Sequence, residues 1–443
     1  MNTIGIVVPI YNVAKYLHKC LQSIQNQSYK HFQVVLVNDG STDFMQDSSD
    51  SKDSHKAQTL SQTLKITLEY VASDSRFVLF DKENGGLSSA RNTGIAYFRN
   101  EIIFDKNAND LLQNNNISRT LCYFNNKPMR FYASHPQQNP QNLQNPQPIS
   151  HIIFLDSDDW WEKDLLLECL KSAQKHNAEI VWFNFNTFKE EMDGNIAIAT
   201  MGGATSFSWI DFYEYNTTQK ISGKDVLLRA KNKGISLLSN AWDIFIDWQY
   251  LQNIGLTFID GILYEDVAFA TLLFAQSKSI LAFPKHLTNY LVRQNSIMTF
   301  DTTKTLPAFA NPLLEHFLST NEAFRYLSAY SWCVTLCELV AFCDKNGEIG
   351  TLLMECYLKH WLLESSQIMI FENDPYHMKD NCMDLIKRFQ PLYLPKPIRL
   401  QIFYDMPRLW RIKNLWLKIR YFIKGLLKKI RKLKSPQINK NRL

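Results

Sequence analysis

The sequence predicts an α/β protein built on a mostly parallel sheet. Three observations predict it. Short apolar runs recur along the first third of the chain and again after residue 150. Segments with helical spacing lie between them, and each run stops in a turn rich in Pro, Gly, Asn or Asp. Runs of four to eight apolar residues bounded by turn signals read as buried strands, and their alternation with helices argues a parallel sheet.

Ile4 to Val8 is β-branched and apolar and is stopped by Pro9, so it reads as the first strand. Leu17, Cys20, Leu21 and Ile24 follow at helical spacing. Phe32 to Val37 is a second strand, closed by Asn38-Asp39-Gly40-Ser41-Thr42-Asp43. Phe77 to Phe80 is a third, ending at Asp81-Lys82-Glu83-Asn84-Gly85-Gly86, and Ser88 to Phe98 is a helix. Ile152 to Leu155 is a fourth strand. The rhythm is that of a Rossmann-like wrap. Asp164 to Ala173 reads as a helix, Ile180 to Phe185 as a strand, and Phe283-Pro284 and Tyr290-Leu291-Val292 as short strand or turn elements. From Leu306 to Phe371 apolar residues recur every three or four positions, the signature of helical core.

Two segments break the rhythm. Residues 44–62 are rich in Ser, Asp, Lys and Gln. Residues 99–150 end in Pro136 to Pro148, almost only Pro, Gln and Asn, which reads as a solvated loop. Both are expected to be surface insertions without chemistry.

At 443 residues the chain has room for two or three domains, and 45% hydrophobic with 21% charged residues fits a folded protein. No run of eighteen apolar residues predicts a transmembrane helix, and the first residues carry no signal-peptide pattern. The eight cysteines form no C-x-x-C pair. Cys333 and Cys337 share a helix face, but buried or free thiols in a reducing cytoplasm are expected. The net charge of +5 is local. Arg408 to Leu443 holds 13 Lys or Arg and no acidic residue, leaving 35 basic against 43 acidic residues elsewhere, a net of −8.

The chemistry concentrates at the strand ends. His151-Ile152-Ile153-Phe154 runs through Leu155 into Asp156, Asp158 and Asp159. Carboxylates this close repel one another unless a divalent cation lies between them, and Mg²⁺ or Mn²⁺ shares hard oxygen ligands with substrate phosphates. The alternative is a helix cap before Trp160 and Trp161.

Four motifs occur in order: Val7-Val8-Pro9-Ile10-Tyr11-Asn12 with Tyr16-Leu17 downstream; Val37-Asn38-Asp39-Gly40-Ser41-Thr42-Asp43; Asn84-Gly85-Gly86-Leu87-Ser88-Ser89-Ala90-Arg91-Asn92-Thr93-Gly94; and Phe154-Leu155-Asp156-Ser157-Asp158-Asp159. Up to Phe98, and again from His151 to Phe300, the chain resembles a family 2 glycosyltransferase of the GT-A fold, bacterial and of the cell-surface polysaccharide or lipopolysaccharide type. The resemblance implies an enzyme that uses a nucleotide-sugar donor. Asp39 would accept a hydrogen bond from a uracil N–H, and an Asx turn is the alternative. Pro9 would leave Tyr11 and Asn12 near the base or ribose. Gly85 and Gly86 would allow close backbone approach. Arg91 would reach a phosphate or hold the carboxylates, against the alternative of a plain surface arginine.

The resemblance also implies that Asp158 ligates Mn²⁺ or Mg²⁺, that Asp156 binds ribose or assists the metal, and that Asp159 supports them or caps the next helix. Gly261-Ile262-Leu263-Tyr264-Glu265-Asp266-Val267-Ala268-Phe269 resembles the family's acidic pair before a helix. Asp266 would be the general base of an inverting transfer with Glu265 beside it, and a helix cap is the alternative. Tyr290-Leu291-Val292-Arg293-Gln294-Asn295-Ser296-Ile297-Met298 resembles the closing loop, with Arg293 on the diphosphate. The absence of Gln-x-x-Arg-Trp argues against a processive polymer synthase.

In the tail, Leu409, Ile412, Trp416, Ile419, Ile423, Leu426, Ile430 and Leu433 fall on one helix face among Lys and Arg. A basic amphipathic helix over 408–434 suits an anionic membrane surface, with docking on the acidic body or a partner helix as the alternative. No nucleic-acid reading motif accompanies the charge. The chain then divides into a nucleotide-sugar-binding half (1–98), a polar insertion (99–150), a metal-site and acceptor half (151–300), a helical region (301–397) and the basic tail (398–443). The expected function is inverting transfer of a hexose-type sugar from a UDP donor to a saccharide or lipid-linked acceptor, on the inner face of the cytoplasmic membrane. A catalytically silent sugar-nucleotide-binding scaffold and a nucleotidyltransferase are the alternatives. The second would carry a Gly-rich phosphate loop where Pro9-Ile10-Tyr11-Asn12 stands.

Overall fold

The computed structural model describes residues 2–44, 60–112, 117–134, 146–191, 196–198, 208–293 and 306–393. The basic tail over 408–434 and the stretch Gln294 to Met298 lie outside them, as does most of the Pro/Gln/Asn-rich segment. The chain opens with β1 (Thr3–Ile10), α1 (Ala14–Gln25), β2 (Phe32–Asp39), α2 (Gln62–Ser73), β3 (Phe77–Lys82) and α3 (Gly86–Phe98). A meander follows: β4 (Ile103–Leu112), β5 (Ile117–Phe124) and β6 (Lys127–Ser134). The middle of the chain gives β7 (Ile149–Phe154), β8 (Trp160–Trp161), α4 (Leu165–His176), β9 (Ile180–Glu190), β10 (Ile196–Ile198), α5 (Trp209–Phe212), β11 (Gln219–Ile221) and α6 (Gly223–Lys233). Then come β12 (Ile244–Asp247), α7 (Trp248–Ile254), α8 (Glu265–Gln276) and β13 (Ile280–Val292). Four helices end the described chain: α9 (Thr320–Lys345), α10 (Gly347–Leu353), α11 (Lys359–Ser365) and α12 (Lys379–Tyr393).

All thirteen strands join one sheet, ordered β11-β13-β9-β12-β7-β1-β2-β3-β6-β5-β4, with β10 on β9 and β8 on β13. The α/β class and the helical C-terminal region are as the sequence predicts. The parallel character is confined to two places. The block β7-β1-β2-β3 is parallel, as is β13 on β9. Both flanks are antiparallel, so the sheet is mixed.

The segment expected to be a polar surface insertion supplies one of those flanks. β6 pairs antiparallel with β3 and carries β5 and β4 outward. Ile117, Cys122, Met129, Phe131 and Ala133 are buried, at spacings that a composition average hides under the neighbouring Pro and Gln. Phe283-Pro284 and Tyr290 to Val292, read as separate short elements, are one strand. Its register slips between Phe283 and Thr288, next to a proline that has no N–H to give the ladder.

Alternation along the strands sends side chains into two cores. Val34, Leu36, Ile6 and Val8 pack with α1, α2 and α4 on one face, and Val35, Val37, Val7 and Phe80 with α3 and the later helices on the other. α9 is long and apolar enough to cross a membrane, but 61% of its apolar window is buried inside the protein, where it packs on α8, α10 and α11. It is a core helix.

Candidate active site

The parallel block brings four motif ends to one edge. Asn12 follows β1, Asp39 ends β2, Gly85 and Gly86 follow β3, and Asp156 to Asp159 follow β7. Carboxyl ends of parallel strands are where open α/β sheets bind ligands. The β1 and β2 loops are tied together. Asn12, at φ +51°, accepts from the Thr42 N–H at 2.7 Å, and its own N–H donates to Ser41 Oγ at 3.0 Å. Pro9 is buried, whereas Tyr11 is 38% exposed at the rim.

Asp39 is 3% exposed and gathers the β3–α3 loop. Its Oδ2 accepts from Gly86 N–H at 2.8 Å, and its Oδ1 accepts from Gly85 N–H at 3.0 Å and from Lys82 Nζ at 2.5 Å. Gly86 has φ +86°, and a Cβ there would meet the Phe309 ring at 2.8 Å, so this position demands glycine twice over. Lys82 was not singled out in the sequence. Its partner lies 43 residues away, and no local pattern marks the pair.

Arg91 is not a surface residue. It is 1% exposed and joins two carboxylate groups: Nη1 donates to Glu265 Oε1 at 2.7 Å and Nη2 to Asp156 Oδ1 at 2.8 Å. Its guanidinium carbon also lies 5.1 Å from the Phe258 ring centre. Burial pulls its pKa down, but Asp156 and Glu265 outweigh burial and raise it. Of the two roles the resemblance implies for Arg91, this geometry is that of holding carboxylates. The neighbouring Asn92 belongs to the third motif, but no local pattern marks its partners. It exchanges two hydrogen bonds with the Phe258 backbone, at 2.8 and 2.9 Å, and donates to Asp260 at 3.0 Å, fixing the approach to the acidic pair.

That pair opens α8. Tyr264 precedes it in the left-handed region at φ +60°, rare for an aromatic residue and held by a stack on Trp332 at 5.4 Å. Burial raises the carboxyl of Glu265, against the pull of Arg91. Asp266 is pushed up to about 7, by burial first and then by the Glu265 charge. A carboxylate poised there suits proton abstraction near neutral pH. Position at a helix N-terminus favours the ionised form, so desolvation wins over the helix dipole here.

The three aspartates differ sharply. Asp159 is 1% exposed and accepts from the Leu291 N–H at 2.8 Å, with Oδ2 unpartnered. It therefore ties β13 to the site and does not cap the next helix, whose N-cap is Asp164. The Asp156 and Asp158 side chains keep 25% and 20% of their surface exposed. Burial raises the carboxyl of Asp158 and nearby Asp156 adds to the rise, while Arg293 opposes it. Arg293, at the end of β13, donates Nε to Asp158 Oδ2 at 2.6 Å.

Among the described residues no group of three or more His, Cys, Asp or Glu is arranged to hold a metal. Two partly exposed carboxylates still fit Mg²⁺ or Mn²⁺, whose sites often take one or two protein carboxylates and fill the rest with phosphate oxygens and water. A 580 Å³ cavity near β11 and α6, bordered by Tyr215, Arg229 and Lys233, contains none of these residues.

Comparison with known proteins bears on the same elements. Residues 5–53, which hold the first two motifs, match the family model "Glycosyl transferase family 2". Glycosyltransferase GlyA of Streptococcus pneumoniae is 25% identical over 99% of this chain and 51% of its own length. The putative glycosyltransferase EpsH of Bacillus subtilis is 31% identical over 25% of this chain and 27% of its own. The similarity to glycosyltransferase family 2 thus lies in residues 5–53 and extends more weakly along the chain through GlyA. The chain spans about half or less of these curated relatives. Among solved structures, S. aureus TarS 1–349 in complex with UDP-GlcNAc covers 83% of each chain at a TM-score of 0.44 and 15% identity. The matched residues include β1, with Asn12 just after it, and β2, which ends at Asp39, and the remaining candidates lie on or after β3, β7 and α8.

Proposed function

We propose that this glycosyltransferase moves a hexose-type sugar from a UDP donor to a hydroxyl of a saccharide or lipid-linked acceptor, with inversion at the anomeric carbon and dependence on Mn²⁺ or Mg²⁺. The observation that carries the reading is the bridge of Arg91 between Asp156 and Glu265. It holds a diphosphate-side carboxylate and the acidic pair at fixed separation, across the gap where an anomeric carbon would lie.

Each residue then has a task. Asp39 accepts from the uracil imide and keeps Gly85 and Gly86 in place. Tyr11 and Asn12 border the base and ribose. Arg293 neutralises diphosphate oxygens. A divalent cation held by Asp158 and Asp156 would offset the charge that grows on the leaving diphosphate. Asp266 takes the proton of the acceptor hydroxyl as its oxygen bonds to the anomeric carbon and the diphosphate departs. Glu265, held by Arg91, keeps a second negative charge beside Asp266 and raises its basicity.

The basic amphipathic stretch 408–434 supports a cytoplasmic enzyme lying on the inner leaflet, within reach of a lipopolysaccharide core, an undecaprenyl-linked sugar or a glycolipid. The test is a donor screen by mass spectrometry with UDP-hexoses and Mn²⁺. Turnover is expected with one donor or a few, abolished by Asp158→Ala and by Asp266→Asn. UDP binding without turnover across the panel would favour the silent scaffold instead.

A further inference from the structure

The aspartate cluster carries three carboxylates within four positions, and each has its own source of neutralisation. Asp156 is paired with Arg91, which is 1% exposed and anchored at its other end by Glu265. Asp159 is buried and accepts the Leu291 N–H. Asp158 is paired with Arg293, whose side chain is 23% exposed. Of the three neutralising groups, Arg293 alone is a cation on the solvent side, so it can leave without unpacking the core.

Its resting place is also built. The Arg293 guanidinium carbon lies 5.5 Å from the Tyr16 ring centre. Tyr16 donates its hydroxyl to Glu190 Oε2 at 2.8 Å, and Lys15 pairs with the other Glu190 oxygen. Glu190 is itself 7% exposed at the end of β9. The guanidinium is thus bracketed between a carboxylate and a ring held in place from behind.

We propose that Arg293 is the resident cation of Asp158 in the donor-free protein, and that it changes anionic partner when metal and donor diphosphate enter together. The proposal rests on the metal-dependent reading above. A guanidinium 2.6 Å from Asp158 Oδ2 blocks that oxygen to a metal ion. Metal alone, to take that oxygen, would have to displace Arg293 without offering it a new anion. Diphosphate alone would leave one fewer cation among three acidic groups. Arriving together, the diphosphate gives Arg293 two oxygens in the fork geometry that arginine prefers, and the cation takes over Asp158. Metal and nucleotide must then raise each other's affinity by the same factor. In this account Arg293 touches the donor and couples its binding to that of the metal.

The experiment is a Mn²⁺ titration of the full chain, followed by the electron paramagnetic resonance signal of free Mn²⁺, with and without saturating UDP. Wild type is expected to bind Mn²⁺ weakly alone and about tenfold or more tighter with UDP. Arg293→Ala is expected to bind Mn²⁺ severalfold tighter than wild type without UDP, and to lose most of the gain that UDP brings. Arg293→Lys should restore the wild-type pattern in part, with thermal melting as the check that both variants fold. An effect on folding alone would not tighten metal binding. Unchanged or weaker Mn²⁺ affinity of Arg293→Ala without UDP would overturn the proposal while leaving the metal-dependent transferase intact. Failure of wild type to bind Mn²⁺ even with UDP bound would remove both.

Discussion

Arg91 and Glu265 are 174 residues apart in sequence and 2.7 Å apart in the site. The ion pair joins the helix after β3 to the helix that carries the candidate base. It is buried on both sides, at 1% and 11% side-chain exposure, so its cost on breakage is that of a stranded charge.

Arg91→Met is therefore expected to destabilise the fold by about 3–5 kcal/mol, because Glu265 loses its partner in a buried setting. Arg91→Lys should recover only part of that loss, since one ammonium cannot reach two carboxylates as a fork does. Urea denaturation of the three proteins measures both. A change under about 1 kcal/mol for Arg91→Met would mean that water reaches Glu265 and the pair is not structural.

The pH profile should report Asp266. Its carboxyl is pushed up to about 7, so the basic form is lost as pH falls through that value. Log kcat/KM is expected to rise by about one unit per pH unit below neutrality and level off above it. Asp266→Asn should remove the acid limb together with nearly all turnover. An acid limb near 4 in the wild type would assign the base elsewhere.

Asp243 gives a stability prediction with the opposite bearing on pH. It is 1% exposed, bonded to Asn240 at 2.6 Å, and pushed up by burial to about 7. The unfolded chain ionises this group near the ordinary carboxylate value, so between those values the unfolded state has lost the proton and the folded state has kept it. Stability is then full at acid pH and falls as pH rises toward 7, by at most about 4 kcal/mol from this group. Asp243→Asn should flatten that fall. Melting curves at pH 5 and pH 8 for both proteins decide it, and equal slopes for the two would contradict the assignment.

Asp39 separates binding from packing. Asp39→Ala strands the Lys82 ammonium, 7% exposed, and the N–H groups of Gly85 and Gly86. Loss of both UDP affinity and stability is expected. Asp39→Asn keeps one oxygen for the glycine loop and should retain more stability than affinity. Calorimetry with UDP beside thermal melting tests the split, and equal loss of both in Asp39→Asn would make the residue structural only.

Much of this arrangement was readable in advance, for a physical reason. Asp39 closes a strand, Asp156 follows one, Gly86 opens a helix and Arg91 lies in its second turn, so local pattern marks their positions. The partners were not readable. Lys82 and Asn92 act on residues 43 and 166 positions away, and nothing beside them signals it. Arg91 was placed near the carboxylates, but its burial depends on Phe258 and α8, which only the packed fold supplies. The meander from β4 to β6 escaped notice because its alternating apolar positions are diluted by polar neighbours and followed by a Pro-rich run.

The left-handed Tyr264 ties the acidic pair to α9. Its hydroxyl lies 3.2 Å from Ser328 Oγ, its ring stacks on Trp332, and the adjacent Leu263 N–H donates to Ser331 Oγ at 2.9 Å. Little more than one turn of α9, from Ser328 to Trp332, thus grips the residues just ahead of the candidate base. α9 and α8 are packed as one block. Chimaeras that exchange segments between relatives should keep 258–276 and 320–345 from the same parent, or the candidate base Asp266 is expected to be misaimed in a protein that still folds.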